Sequence, residues 1–213
     1  PRELSLKLNK VLGVNTEPSQ FYTSALSTAH FLAKQRPNGT AFVIGESGLT
    51  NALYEEGFTL TDTDPHFVVV GESRSYSYQQ IVHACHLVQN GAGLIGTNCD
   101  VSDRSGKDGK MIPACGSLIQ PIAMATGRVP FFLGKPNPLM MRYAIEHLGV
   151  EREHAIVIGD RLETDILAGI ESDIDSCLVM TGVTKRRHLQ KHAFRPNFLL
   201  PSLKPVYGGS HDE

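Results

Sequence analysis

The stretch that decides the fold is AIVIGDRLETDI, residues 155–166. Its apolar run, rich in β-branched residues, stops at Gly159. An acid, Asp160, follows at once, and a second acid, Asp165, stands a little further on. A short apolar run bounded by glycine reads as a strand buried on both faces. In an open parallel sheet, ligands collect beyond the carboxyl ends of the strands. Asp160 is therefore placed at that edge, with Gly159 allowing a close approach and a turn. Asp165 falls in the first turn of the next helix, over the same crevice. Two hard oxygen donors on one edge suit magnesium, which takes one or two carboxylates and leaves its other positions to water and phosphate.

Working outward, PFFLGKPNPLMMRYAIEHLG (residues 130–149) reads as a buried strand, a Gly134-Lys135-Pro136 turn and a helix. Asn137-Pro138 suits a cap and first turn, and Gly149 suits a stop. Lys135 at that strand end would send its ammonium into the crevice of Asp160 and Asp165, where it can pair with phosphate and stabilise charge during phosphoryl transfer. Strand-then-helix units recur along the chain: AFVIG with LTNALYEEG, HFVVVG with YSYQQIVHACHLVQNG, GLIGTN with GSLIQPIAMATG, and finally SCLVMTGV and NFLLP. That alternation predicts an α/β fold with a parallel sheet covered on both faces.

The 213 residues suffice for one large domain or two small ones. A formal net charge of −2 gives no electrostatic case for nucleic acid or an anionic membrane surface. No apolar run approaches the roughly 20 residues of a membrane span, and PRELSLKLNK lacks the apolar centre of a signal peptide. The cysteines Cys85, Cys99, Cys115 and Cys177 show no Cys-x-x-Cys spacing, which points to a reducing, cytoplasmic setting.

Several tempting signals are set aside. GAGLIG (residues 91–96) matches the dinucleotide fingerprint but sits between a helix and a following strand, the reverse of the order that fingerprint needs. Asp100, Asp103 and Asp108 in the polar loop CDVSDRSGKDGKMIP lack EF-hand spacing. His83, Cys85 and His86 share a helix without a further ligand. The basic run Lys185 to His192 reads as a solvated helix face, and YGGSHDE as a frayed tail.

FFLGKPNPLMMRYAIEHLG and AIVIGDRLETDILAGI resemble the third and fourth motifs of the haloacid dehalogenase-like phosphatases, and among these the NagD-type nucleotide (UMP) phosphatases. The resemblance extends to FYTSALSTAHFL, YEEGFTLTDTDPHFVVVGESRSY, GTNCD and PACGSLI, and so spans nearly the whole chain. It implies a Rossmann-like core with an inserted α/β cap. The expected division is core at 1–23, cap at 24–128, core again at 129–207 and a flexible tail at 208–213. It implies a magnesium-dependent phosphomonoesterase acting on a small phosphorylated metabolite, a nucleoside 5′-monophosphate in the first instance, with no nucleic-acid or membrane partner and with room for self-association through the cap. Lys135 and Asp160 become the catalytic candidates, and Asp160 and Asp165 the metal ligands. Arg161, Leu162, Glu163 and Thr164 become a phosphate- or substrate-contacting loop beside Lys135, at a helix N-terminus suited to anions. Asn98 and Asp100, after the strand GLIG, become cap residues reading the leaving group, with turn chemistry as the competing reading.

One part of the family pattern is not found. The nucleophile is the first Asp of an Asp-x-Asp pair closing the first core strand, and a Thr or Ser closes the second. Asp62-Thr63-Asp64 and Asp173-Ile174-Asp175 both precede strands, so neither delivers a carboxylate to the carboxyl edge. The first two core strands are therefore expected to lie outside this sequence, with the apolar flanks of AIVIG and SCLVM exposed in the chain alone. Two readings stay open: an enzyme whose nucleophile lies outside the sequence, or a catalytically silent remnant acting as a binding or interaction module.

Overall fold

The computed structural model describes residues 1–105 and 109–204. Asp108 and the expected tail at 208–213 lie outside the described residues. The chain divides into two compact units, Pro1–Gly134 and Lys135–Glu213. Both are α/β, and each is built on a parallel sheet.

The first unit runs α1 (Arg2–Leu12), α2 (Ser24–Gln35), β1 (Thr40–Ile44), α3 (Ser47–Glu55), β2 (Thr59–Leu60), β3 (Phe67–Val70), α4 (Tyr78–Gln89), β4 (Gly93–Gly96), β5 (Ser102–Ser105), β6 (Lys110–Pro113), α5 (Cys115–Leu118), α6 (Gln120–Thr126) and β7 (Phe131–Phe132). Its main sheet has the order β2-β1-β3-β4-β7, and every pairing is parallel. Val68, Val69 and Val70 are fully buried at its centre, as a central strand covered on both faces requires. Ile44, Val68, Val70 and Leu94 pack with Leu87 and Val88 of α4 and with Ile119 and Ile122. Helix starts follow the local chemistry. Ser77 Oγ accepts the Gln80 N–H while the Gln80 side chain accepts the Ser77 N–H, a reciprocal cap that opens α4.

The second unit runs α7 (Pro138–Leu148), β8 (Ile156–Gly159), a π-helical turn (Leu162–Ile166), α8 (Leu167–Glu171), β9 (Asp175–Val179), α9 (Arg186–Leu189) and β10 (Phe198–Leu200). Its sheet is β10-β9-β8, again parallel. The caps of α7 are those the sequence implies: Asn137 Oδ1 accepts the Leu139 N–H at 3.0 Å, and Gly149 ends the helix with φ of +67°. Leu162, Ile166 and Leu178 form a small apolar core with Met180, Leu189 and Phe194 against it.

Four expectations need correction. AIVIG is not buried on both faces as the run itself suggests: β8 is an edge strand, and Ile156 and Ile158 are 47% and 44% exposed, which is the uncovered flank expected from the resemblance. SCLVM shows the opposite, since Cys177, Leu178 and Val179 of the central β9 are buried. PFFLG is a two-residue strand with Phe131 exposed, and it pairs with β4 in the first unit's sheet, not with β8. Much of the polar stretch after Asp100 forms an antiparallel hairpin, with Asp103 opposite Ile112 and Arg104 opposite Met111. By contrast, Asp64 and Asp173 sit in left-handed turns at φ of +48° and +57°, and β3 and β9 follow them. The Asp173 run therefore opens β9, whereas the Asp62 run connects the short β2 to β3. Likewise α4 ends before β4 begins, so GAGLIG joins a helix to a strand in that order.

Candidate active site

The second unit brings Lys135, Asp160 and Asp165 together. Asp160 leaves the carboxyl end of β8, and Asp165 comes back over it from the π-helical turn. The turn returns this far because Gly159 has no side chain: a Cβ there would collide with the Asp165 carboxyl group. Asp165 is buried, and its oxygens are taken. Oδ1 accepts from Lys135 Nζ at 2.6 Å. Oδ2 accepts the N–H groups of Asp160 at 3.2 Å and Arg161 at 3.1 Å. A buried carboxylate needs such partners, because each lone pair left unmatched away from water costs free energy. The expectation of Asp165 as a direct metal ligand thus meets a different arrangement. Asp165 ties Lys135 to the strand end and fixes the backbone that carries Asp160.

Asp160 is half-buried and is held from the opposite side. Its Oδ2 accepts the Val183 N–H at 2.7 Å, and its carbonyl accepts the Thr184 N–H at 3.1 Å. Gly182 lies against the same oxygen, where a Cβ would collide. Gly182 and Val183 belong to the loop after β9, and reading the sequence did not pick them out. Their signal, a glycine just past a strand end in MTGVT, matters only once β9 is known to lie beside β8.

The loop between the two acids divides by side chain. Leu162 is fully buried in the apolar core, which removes its side chain from any ligand role. Thr164 is buried as well. Glu163 is exposed and pairs with His192 at 3.1 Å. Arg161 is half-buried, and its backbone N–H is given to Asp165. Of the four, Arg161 and Glu163 keep their side chains outside the apolar core.

Asn98 and Asp100 belong to the first unit, beyond the carboxyl end of β4. The Asn98 Oδ1 accepts the Asp100 N–H at 3.1 Å, the turn chemistry that competes with a ligand role. The Asn98 side chain also bonds Glu72, whose carboxyl is nevertheless held above the usual carboxylate range by burial and by Asp103 and Asp100 nearby. Asn98 lines a cavity of about 980 Å³ together with Glu46, Ser47, Glu72 and Thr97; Asp100 does not line it.

Among the described residues, no group of three or more His, Cys, Asp or Glu side chains is arranged to hold a metal by itself. The donor that suits a hard cation is the Asp160 carboxylate, at the strand edge and with Oδ2 already bonded. One carboxylate completed by water and phosphate is ordinary magnesium chemistry, so the residues present fit a shared site rather than a closed cage.

Comparison with known proteins places the chain in a family. Residues 132–206 match the HAD-hydrolase-like family model, and residues 1–59 match a haloacid dehalogenase-like hydrolase model. The chain is 44% identical to dihydroxyacetone phosphatase of Corynebacterium glutamicum (strain R), a match covering 95% of this chain and 73% of that protein. The chain belongs to the haloacid dehalogenase superfamily, among its NagD-type phosphatases. Ribonucleotide monophosphatase NagD of Escherichia coli (strain K12) is 41% identical over 91% of this chain and 75% of its own length. The solved structure of NagD from that strain superposes with a TM-score of 0.86, covering 95% of this chain and 78% of the other, at 40% identity. Among the described residues, no helix is long and apolar enough to cross a membrane.

Proposed function

We propose that this chain carries the phosphate- and cation-binding part of a magnesium-dependent phosphomonoesterase for small phosphate esters, nucleoside 5′-monophosphates among them. The observation that carries the reading is the Lys135–Asp165 contact at 2.6 Å beside Asp160. Lys135 would hold a phosphoryl oxygen, and Asp165 would keep its ammonium aimed. Asp160 would hold magnesium, which when bound neutralises charge on the phosphate. The Arg161–Thr164 loop would border the phosphate through Arg161, Glu163 and backbone N–H groups. Residues 24–128 serve as cap in this reading, with Asn98 and Asp100 facing the leaving group, and residues 1–23 and 129–207 as core.

The chemistry is covalent catalysis. A carboxylate attacks phosphorus and the ester P–O bond breaks, its electron pair leaving with the alkoxide, which takes a proton from a second acid. Water, deprotonated by that same group, then cleaves the acyl phosphate and regenerates the carboxylate. Lys135 stabilises the phosphoryl oxygens in both steps. The Asp173-Ile174-Asp175 run opens β9 and the Asp62-Thr63-Asp64 run lies between β2 and β3; the reading gives the attacking role to neither and assigns it to a carboxylate outside this sequence.

Similar proteins bear the names dihydroxyacetone phosphatase, ribonucleotide monophosphatase and acid sugar phosphatase, so kinship supports small phosphorylated substrates without fixing one. The test is phosphate release by the protein encoded together with whatever precedes Pro1 in its reading frame, with and without magnesium. Turnover that needs magnesium and falls about a hundredfold or more in Lys135→Ala and in Asp160→Asn is expected. Unchanged rates in both variants would remove the site, and no turnover with any ester would favour the silent binding module.

A further inference from the structure

The loop over Asp160 restricts how that carboxylate can meet a cation. Oδ2 carries the Val183 N–H at 2.7 Å. Gly182 packs against the same oxygen so closely that no side chain fits between them. Gly182 does not adopt a positive φ, so it is needed for space rather than for backbone conformation. The loop is itself tied down: the Thr184 N–H bonds the Asp160 carbonyl at 3.1 Å, and Lys185 Nζ bonds the Gly182 carbonyl at 2.9 Å. Thr184 is buried. One carboxylate oxygen is therefore spoken for and crowded, and a cation is left the other.

We propose that Gly182 and the Val183 N–H hold Asp160 as a one-oxygen ligand and thereby favour small octahedral cations over large ones. Magnesium binds carboxylates through single oxygens at about 2.0–2.1 Å, whereas calcium readily takes both oxygens at longer distances. A clamp on Oδ2 costs magnesium nothing and denies calcium its second contact. Gly182 and Val183 are positioning residues, acting through Asp160. The inference rests on reading Asp160 as a cation ligand, and the experiment separates the two.

Calorimetric titration of the protein encoded together with whatever precedes Pro1, with MgCl2 and with CaCl2, reads both affinities directly, without turnover. Opening the clamp by Val183→Pro, which removes the donor, should narrow the magnesium-over-calcium preference by about tenfold or more. Val183→Ala, which keeps the N–H, should leave the preference unchanged. Gly182→Ala should weaken magnesium binding by about ten- to a hundredfold, because Asp160 must move. Asp160→Ala should abolish magnesium binding; if it does not, the reading of the ligand fails and the inference with it. If Asp160→Ala abolishes binding but Val183→Pro and Gly182→Ala keep the wild-type preference, the inference alone is overturned. Amide hydrogen exchange checks the clamp independently of folding losses. In Asp160→Ala, Val183 should lose protection while Thr184, bonded to the Asp160 backbone carbonyl, keeps its own. Unchanged protection at Val183 would contradict the clamp.

Discussion

HFVVVGES in the first unit and HAIVIGDR in the second are near copies: an apolar run, a glycine, then an acid. Their surroundings differ. Val68, Val69 and Val70 lie in the middle of a five-stranded sheet and are fully buried, whereas Ile156 and Ile158 lie on an edge strand and are nearly half exposed. The acids differ as well. Burial, with Asp103 and Asp100 nearby, pushes the Glu72 carboxyl above the usual range. Asp160 sits between a lysine-bearing carboxylate and a loop that donates to it. Burial follows place in the sheet, and the chemistry of a strand-end acid follows what the neighbouring elements bring to it. Neither is written in the run itself.

The paired glycines give the largest expected contrast. Gly159→Ala drives a Cβ into the Asp165 carboxyl and must break its bonds to Lys135 and to the Asp160 and Arg161 amides. A loss of about 3 kcal/mol or more is expected from overpacking and unmatched buried groups. Gly71→Ala meets the Leu49 Cδ2 at 3.0 Å and the Thr97 Cγ2 and Oγ1 at 3.4 and 3.5 Å, side-chain atoms that can give way, so about 1 kcal/mol is expected. Urea unfolding of the two variants decides it, and equal losses would break the contrast.

Next come the isoleucines. Ile44→Ala empties a fully buried site in the first sheet and should cost about 2–5 kcal/mol. Ile158→Ala removes a side chain that is 44% exposed and should cost less than about 1 kcal/mol. A large cost at Ile158 in thermal melts would mean that β8 is covered in the protein measured.

Buried thiols should give a smaller effect. Burial pushes the Cys115 and Cys177 thiols above their ordinary range. A raised folded pKa contributes stability that is present below the unfolded value, about 8.5, and is lost as pH rises through the folded value. Stability should thus decline above about pH 8.5, and Cys115→Ala should flatten that decline. Both thiols should resist alkylation at neutral pH until the chain unfolds.

The smallest effect is expected at Glu72. Its carboxyl is raised, so its ionised form opposes folding above the unfolded value, about 4.3. Glu72→Gln should raise the melting temperature slightly at pH 7, and the gain should vanish at pH 3.5. A fall at pH 7 would show that the charge is used in the folded state.

The strand-then-helix order, the α7 caps and the meeting of Lys135 with Asp165 were legible because each rests on local chemistry or on a strand end. The exposure of Ile156 and Ile158 followed from the family resemblance and not from the run itself, because a strand reads the same at an edge and at a centre. The hairpin of β5 and β6 was hidden by its polar composition, since its side chains bury little. The sheet that takes Phe131 and Phe132 could not be read from PFFLG, because pairing partners lie far away in sequence. Gly182 and Val183 escaped for the same reason, since they meet Asp160 only through the pairing of β8 with β9.

The central claim is that Asp165 acts by holding Lys135, and a double-mutant cycle on phosphate release tests it most directly. Lys135→Met and Asp165→Asn should each lower kcat/KM by about 10²–10³-fold. The double variant should be no worse than the weaker single by more than about threefold, because residues acting as one unit are not additive. Losses that multiply, or a Lys135→Met variant as active as the parent, would contradict the account.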